Sequence, residues 1–514
     1  MTSVFKLLID TNVVIGLEDA QPVKQSWADL VRLSASNQVA LFVDGANYED
    51  VERDRDASRR EITLSKLGKF QRLRNLPIPS DGDLSERFGL IVTANDKADV
   101  RLLLALDVKA VDFLITEDIR LHRRAGRCGL ASAVLTVDEA LRWIEQTFQK
   151  KSVSLPYIEE KKAYEIDRSD EIFQSLNTDY PAFPDWFDKC CREHRDCWVL
   201  QFQSKIAGIV VRKEEQWEDA RTRNRANKIL KVCTFKVSDE FRGEKLGELL
   251  LKQILWYAQS NSFGLVYLTV FPHHDFLIDL LSYYGFVVTM KLKNSELVME
   301  KLLVYGPIID KPSDAFEFDR LHYPRFYEGK EVAKYIVPIR PDYHRGLFPE
   351  VDAEPELPLF PREIFGRLLD SRAVRTPGNT IRKVYLCRAQ ANQMRPGDLI
   401  FFYVSKSVDH VASQTIATIG VVEQVQIAQS TDDLVRMTAK RSVFSADDIE
   451  AWSATPQHPV KVIDFLLVEH IRPPVALDSL LDAQIFNQRP PQSITKFDDR
   501  YAKFRRLFGG GYDG

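Results

Sequence analysis

The chain reads as a multidomain α/β protein: a parallel α/β unit, a second α/β unit, and a strand-rich C-terminal region. Three observations predict this. Short apolar runs alternate with helical stretches over the first 150 residues, the pattern of a parallel sheet with crossover helices. Between Lys228 and Phe286 an apolar strand, a polar elbow containing glycine, a helix and a second strand follow one another. Beyond about residue 380, aromatic and β-branched runs replace helical periodicity. At 514 residues the chain exceeds what one hydrophobic core organises, and three domains is the natural division.

Bulk composition excludes more than it names. The hydrophobic share of 45%, the charged share of 28% and the net charge of −4 are ordinary for a globular protein. Any affinity for nucleic acid must therefore come from local patches. No run of 18 apolar residues occurs, and Met1-Thr2-Ser3-Val4-Phe5-Lys6 lacks the layout of a secretory signal. Six cysteines in this length make no disulfide framework. The expectation is a soluble protein of the reducing cytoplasm. Three cysteines lie in Cys190-Cys191-Arg192-Glu193-His194-Arg195-Asp196-Cys197, whose spacing offers no Cys-x-x-Cys pair for zinc, so helical core thiols are expected.

In the first 150 residues, Phe5-Lys6-Leu7-Leu8-Ile9 is a buried-type strand ending directly on Asp10-Thr11-Asn12. A carboxylate at the C-terminal end of a parallel strand lies at the mouth of an open sheet, where ligands bind. Further strands are expected at 40–43, 112–115 and 133–135, the second of them ending on Thr116-Glu117-Asp118. Asp99 opens an apolar helix, and Asp50 lies early in a helix after the second strand. Singly, each acid is an ordinary helix cap or solvated strand end. Together Leu8-Ile9-Asp10-Thr11-Asn12, the acid-led helix at 99–105 and Phe113-Leu114-Ile115-Thr116-Glu117-Asp118 resemble the PIN domain, a family of metal-dependent nucleases, mostly ribonucleases. The resemblance implies that Asp10, Asp50 (with Glu49 as its substitute), Asp99 and Asp118 hold one or two Mg2+ or Mn2+ ions. Such ions neutralise a phosphodiester and activate a water. Arg53–Arg74 and His122–Arg127 are basic stretches, either phosphate contacts or solvated helix faces.

The middle of the chain, about 155–302, begins with an amphipathic helix at 184–189 and a hairpin of strands at 197–202 and 206–211. Next come the strand Ile229–Val237, the elbow 238–247, a helix with Leu249, Leu250, Ile254, Leu255 and Tyr257 on one face, and the strand Leu265–Val270. A further helix ends at Tyr284-Gly285-Phe286. A strand–turn–helix of this kind leaves bare N–H groups at a helix start, where an anionic pyrophosphate can sit. The order resembles the GCN5-related acetyltransferases, whose signature after the strand is Arg/Gln-x-x-Gly-x-Gly/Ala. The resemblance implies acetyl-CoA held by Phe235, Val237, Arg242, Gly243, Lys245, Leu246 and Gly247. Two positions depart from the family. Lys245 stands where its first glycine would be, so a β-carbon crowds the pyrophosphate while the ammonium would pair with it. Leu281 stands where the family has its tyrosine general acid. Tyr284 takes that role as the nearby substitute, although Tyr283 and Tyr284 point elsewhere on the helix. The strand 229–237 carries no carboxylate to act as base, and His273 and His274 are the nearby groups of suitable pKa. Arg221–Lys228 is a basic run without an acid: a solvated loop, or a guide for a nucleic acid or acidic substrate.

Residues 303–370 are rich in Pro and Gly punctuation and read as a linker wrapping between domains. From 371 to 514 strands are expected at 381–387, 399–404, 415–422 and 462–468. The turn Arg395-Pro396-Gly397-Asp398 before an aromatic strand, with Ile419-Gly420-Val421-Val422 beyond it, resembles the PUA-like barrels of the ASCH and EVE type. That implies a small β-barrel associated with RNA or modified bases. Arg382, Lys383, Arg388 and Arg395 are then the basic candidates. Tyr385, Phe402 and Tyr403 either stack bases or fill the barrel core.

The expectation for the whole is an acetyl-CoA-dependent N-acetyltransferase joined to a PIN-like ribonuclease and an RNA-binding barrel. Its substrates would be RNA or tRNA-linked, and by analogy of domain content it would be a toxin or defence effector with an antitoxin partner. The alternative is a non-catalytic RNA-binding scaffold with a degenerate acetyl-CoA sensor, or a nuclease alone.

Overall fold

Five short parallel strands form the N-terminal sheet. They are β1 (Phe5–Ile9), β2 (Val39–Val43), β3 (Gln71–Arg72), β4 (Phe113–Ile115) and β5 (Val134–Leu135), in the spatial order β3-β2-β1-β4-β5. Strand order reverses at β1, so the C-terminal ends of β1 and β4 flank the switch point where open α/β sheets bind ligands. The helices between them are α1 (Thr11–Gly16), α2 (Gln25–Ser36), α3 (Gly45–Glu52), α4 (Ala57–Leu67), α5 (Asp81–Phe88), α6 (Ala94–Asp107), α7 (Ile119–Arg127) and α8 (Val137–Phe148). Caps fix three of them where the chemistry sits. Asp44 caps α3 in a capping box, Thr93 does the same for α6, and Asp118 caps α7.

The computed structural model describes residues 4–16, 25–74, 76–148, 156–202, 205–241, 244–306, 308, 311–352, 376–377, 380–388, 394–408, 413–440 and 446–508. The chain divides into two compact units, one of Met1–Val153 with Gln426–Val462 and one of Ser154–Val425 with Ile463–Gly514. The expected boundaries at 150 and 371 are thus incomplete, because residues 426–462 belong with the first sheet. Acids of that unit find basic partners there: Arg436 Nε lies 2.7 Å from Asp112, and Lys440 lies 3.8 Å from Glu139.

The second unit holds two sheets. The larger contains β6 (Tyr157–Lys162), β7 (Asp196–Phe202), β8 (Lys205–Glu215), β9 (Ile229–Val237), β10 (Leu265–Val270), β11 (Val287–Lys291), β12 (Leu297–Leu302) and β14 (Thr376–Pro377). Their order is β11-β12-β10-β9-β8-β7-β6-β14. The β9–β10 pairing is parallel, and the other pairings in this sheet are antiparallel. Helices α9 (Ile172–Asp179) and α10 (Phe183–Arg192) pack on one face, where Cys190 is a helical core thiol as expected, whereas Cys197 is a buried thiol on strand β7 and not on a helix. Helix α11 (Leu246–Ser260) buries Leu249, Leu250, Ile254 and Leu255 on the other face, with α12 (Asp275–Tyr283) beside it.

In the smaller sheet β13 (Lys334–Ile339), β15 (Arg382–Cys387), β16 (Leu399–Val404), β17 (Thr415–Ala428), β18 (Val460–Ala476) and β19 (Thr495–Lys496) follow the order β15-β18-β17-β16-β13-β19. This corrects the reading of 303–370 as linker where it is described, while 353–370 lie outside the described residues. Lys334–Ile339 is a buried strand paired in parallel with β16. Pro338 fits because β19 pairs only with Tyr335 and Ile336, leaving the proline nitrogen on an unpaired edge. Helix α11 is packed on two sides, since Glu248, Lys252 and Trp256, at i, i+4 and i+8, face this C-terminal part. Glu248 accepts from the Arg382 backbone N–H at 2.6 Å, Lys252 pairs with Glu350 at 2.6 Å, and Trp256 meets His470 edge-on at 5.3 Å.

Candidate functional site

In the larger sheet the decisive feature is where a hydrogen-bond ladder stops. Strands β9 and β10 pair from Ile229↔Leu265 to Val232↔Leu268, whereas β9 stays paired with β8 as far as Val237↔Gly208. Cys233–Val237 therefore keep one backbone edge open towards β10, a gap between two parallel strands. The β8–β9 register slips between Val211↔Thr234 and Arg212↔Val232, so Cys233 is the extra residue of a bulge that bends the strand away. Backbone N–H and C=O groups left bare in this way require a partner. An extended chain bearing amides would fit as a short extra strand.

Phe235 and Val237, two of the expected cofactor residues, line this gap over Gly247. A β-carbon at 247 would lie 3.3 Å from Leu280, 3.9 Å from Phe235 and 4.0 Å from Val237, so glycine keeps the passage clear. Lys245 precedes α11 with φ 56 and ψ 24, a left-handed conformation that favours glycine, and it makes no side-chain cap bond. The first-turn N–H groups of α11, at Leu246 and Gly247, thus point out of the helix start with its positive dipole end. Arg242 and Gly243 lie outside the described residues, as does the turn at 203–204.

Beyond β10, Phe271 stacks between Tyr180 (5.3 Å) and His273 (5.6 Å), and the His273 and His274 rings lie 4.2 Å apart. Tyr284 does not join them. Expected as the general acid, it is 1% exposed and packs on Tyr323 at 5.5 Å, while its carbonyl accepts from buried Lys301 at 2.6 Å. It is a core residue because the chain turns at Gly285, where φ is +83 and a β-carbon would lie 2.0 Å from the Leu321 carbonyl oxygen. On the sheet face opposite α11, Lys213 and Lys231 stand directly across from each other. They share Glu215, at 3.3 and 3.6 Å, and the Tyr267 hydroxyl donates to the same carboxylate at 2.5 Å. No sequence motif marks the Cys233 bulge or this lysine pair. Alternation of β-branched and charged residues was the one available hint.

The four N-terminal aspartates are electrostatically coupled. Asp10 Oδ2 accepts from Thr116 Oγ1 and from Asn12 Nδ2, both at 2.7 Å, and Oδ1 accepts from the Thr11 N–H at 2.6 Å. Burial raises Asp10 to about 6 against those bonds, with repulsion from Asp50 and Asp118 adding to the rise. Burial, then Asp10 and Asp118, raise Asp99 to about 7. Two others of the set have partners as well. Asp50 is bound by Arg53 at 2.7 Å, and Asp118 accepts from the Arg120 N–H at 2.7 Å as cap of α7. The donor set is all carboxylate oxygen, which suits Mg2+ or Mn2+, while Arg53 and Arg120 pair with Asp50 and Asp118 and the charge of Arg124 acts on Asp99. Among the described residues, however, no three His, Cys, Asp or Glu side chains converge closely enough to hold an ion.

In the C-terminal sheet, Tyr385, Phe402 and Tyr403 are core residues, packed on Phe348, Phe465 and Phe486. Base stacking by them is thereby corrected. Arg382 is held by Glu423, and Lys383 is buried with no hydrogen-bond partner among the described residues, while Arg388 and Arg395 stay exposed.

Residues 161–286 match the family model described as the acetyltransferase (GNAT) family. No curated protein sequence matches the chain. Similar solved structures include ASCH from Zymomonas mobilis, with 15% identity over 34% of this chain and 94% of that one at a TM-score of 0.23. Ard1 from Thermoplasma volcanium shows 22% identity over 29% of this chain and 99% of that one, at 0.24. A GNAT family acetyltransferase from Elizabethkingia anophelis with acetyl-CoA bound shows 14% identity over 29% of this chain and 100% of that one, at 0.21. Segment 161–286, with its splayed parallel strands and the helix start beside them, is a GNAT acetyltransferase domain set within a longer chain.

Proposed function

We propose that the central domain binds acetyl-CoA and transfers its acetyl group to an amine. The observation that carries this is the open edge of Cys233–Val237, leading past Gly247 to the helix start at Leu246–Gly247. The edge offers N–H and C=O groups at strand spacing for the amides of a pantetheine arm, and the helix start takes the pyrophosphate. In the transfer, the amine nitrogen bonds to the thioester carbon, the carbon–sulfur bond breaks, and the amine's proton leaves. A slot N–H near Cys233 stabilises the oxyanion. We assign the proton to His273, which follows β10 in the sequence. Calorimetry with acetyl-CoA and its desulfo analogue tests the reading: saturable binding of both is expected, and no binding of either removes it.

A second activity is favoured by the coupled carboxylates. Among the described residues no three of these carboxylates converge closely enough for an ion, so Asp10 and Asp99, with Asp50 and Asp118, would have to draw together to hold one or two divalent ions, which would supply charge neutralisation and an activated water for phosphodiester hydrolysis. Thr116 and Asn12 fix Asp10, and the raised Asp99 carries no hydrogen bond among the described residues. RNA is the substrate class we assign. Mn2+-dependent cleavage of bulk tRNA by wild type and its loss in Asp10→Asn/Asp99→Asn is the expected result. Equal cleavage by both, or by neither, favours a scaffold.

A further inference from the structure

The basic run before β9 is not a loose loop. Its backbone is pinned at two successive residues, where the Arg223 and Asn224 N–H groups bond Glu300 at 2.7 and 3.0 Å. Asn224 Nδ2 adds a third bond to Glu300 at 2.8 Å, and Glu300 is itself 1% exposed. Exposure then alternates along the loop, turning Arg221, Arg223 and Arg225 outward. None of the three forms an ion pair among the described residues, although Glu218 and Asp219 lie in the preceding turn. The Arg225 guanidinium lies 3.9 Å from the centre of the Trp217 ring, a stacked cation already in place.

The same sheet face carries Lys213 and Lys231, two ammonium groups sharing the single carboxylate of Glu215. Like charges directly across an antiparallel pair destabilise it unless something else uses them. Lys231 stands two residues before Cys233, about 7 Å along the strand from the start of the open slot. The basic surface and the reacting end of the slot are thus continuous.

We infer that the rigid Arg221–Arg225 loop, with Trp217, Lys213 and Lys231, is the docking surface for a single-stranded RNA that carries the acceptor amine to the slot at Cys233. The assignment rests on the acetyltransferase reading for its direction, but not for its binding. Guanidinium groups grip phosphates two oxygens at a time, and the Arg225–Trp217 stack offers a planar face to a base, which an acidic peptide would not use. A duplex is too wide to bring a base or terminal amine to a gap between two strands.

The test uses the full chain, a fluorescent 12-nucleotide single-stranded RNA containing 5-iodouracil, and a range of KCl concentrations. Wild type is expected to bind with a salt slope that falls by about 2 in Arg221→Gln/Arg223→Gln/Arg225→Gln, three phosphate contacts of about 0.7 each. The photo-crosslink is expected within residues 217–231, and Arg225→Lys, which keeps charge but loses the fork, should weaken binding without changing the slope. Acetyl-CoA binding by calorimetry should be unchanged in both variants. An unchanged slope in the triple variant, crosslinks confined to other segments, or polyglutamate bound as tightly as RNA would each overturn the proposal. If wild type binds RNA at this loop but not acetyl-CoA, the transferase reading fails while the docking surface stands.

Discussion

Replacing Glu350 by glutamine should destabilise the second unit heavily. Lys252 Nζ lies 2.6 Å from Glu350 Oε1, with the two residues 5% and 6% exposed, and His470 Nε2 approaches the same oxygen at 3.5 Å. Burial opposes charge on Glu350, but Lys252, His470 and Lys383 hold its carboxyl well below the usual range. Because its folded pKa is depressed, this contribution is complete at neutral pH and is lost as pH falls below the ordinary value of 4.5. Glutamine at 350 leaves a buried ammonium without its counter-charge, and breaking such pairs costs about 3–5 kcal/mol. For a unit of this size that lowers Tm by on the order of 10 °C. Thermal unfolding of the full chain, followed by circular dichroism at pH 7, is the assay. The double variant Lys252→Met/Glu350→Met should recover most of the loss, since removing both charges is often neutral. A Tm within about 2 °C of wild type for Glu350→Gln would refute the reasoning.

Two further outcomes follow from the candidate sites. Asp10 and Asp99 titrate above the ordinary 3.8, so the folded state holds their protons more tightly than the unfolded chain. Stability of the first unit should therefore fall as pH rises from about 4 to 7, and Asp10→Asn/Asp99→Asn should flatten that fall. Mn2+ should raise the wild-type Tm at pH 7.5 and leave the double variant unmoved, and an identical pH profile for both proteins would count against the coupling. At the elbow, Lys245→Gly should keep or raise stability by up to about 1 kcal/mol, because it relieves a left-handed residue, whereas Lys245→Val should lose at least about 1 kcal/mol. Urea titration reads both; acetyl-CoA affinity should hold in the glycine variant.

What could be read before the structure follows from where sequence signals are local. Strands β9 and β10 run from Ile229 to Val237 and from Leu265 to Val270, the expected limits, because polar or glycine-containing elbows bound the apolar runs. Asp10 and Asp118 fall at the ends of parallel strands, which periodicity alone places at one mouth. The failures are non-local. Pro338 and the punctuation around it hid β13, whose partner strand lies more than sixty residues away in the sequence. The pairing of Arg436 with Asp112 spans 324 residues and leaves no trace in either neighbourhood. Spacing from a motif does not tell which way a helix end turns, and Gly285 turns Tyr284 inward. The bulge at Cys233 is a slip of one residue, and both strands read equally well without it.

The claim that acetyl-CoA lies along the open edge of β9 is tested most directly by amide hydrogen exchange on the full chain with and without acetyl-CoA. The account predicts new protection at Cys233–Val237 and in the first turn of α11, with Ile229–Val232 already protected by their ladder. Tight binding that leaves 233–237 exchanging as before, or protects another segment instead, would contradict it.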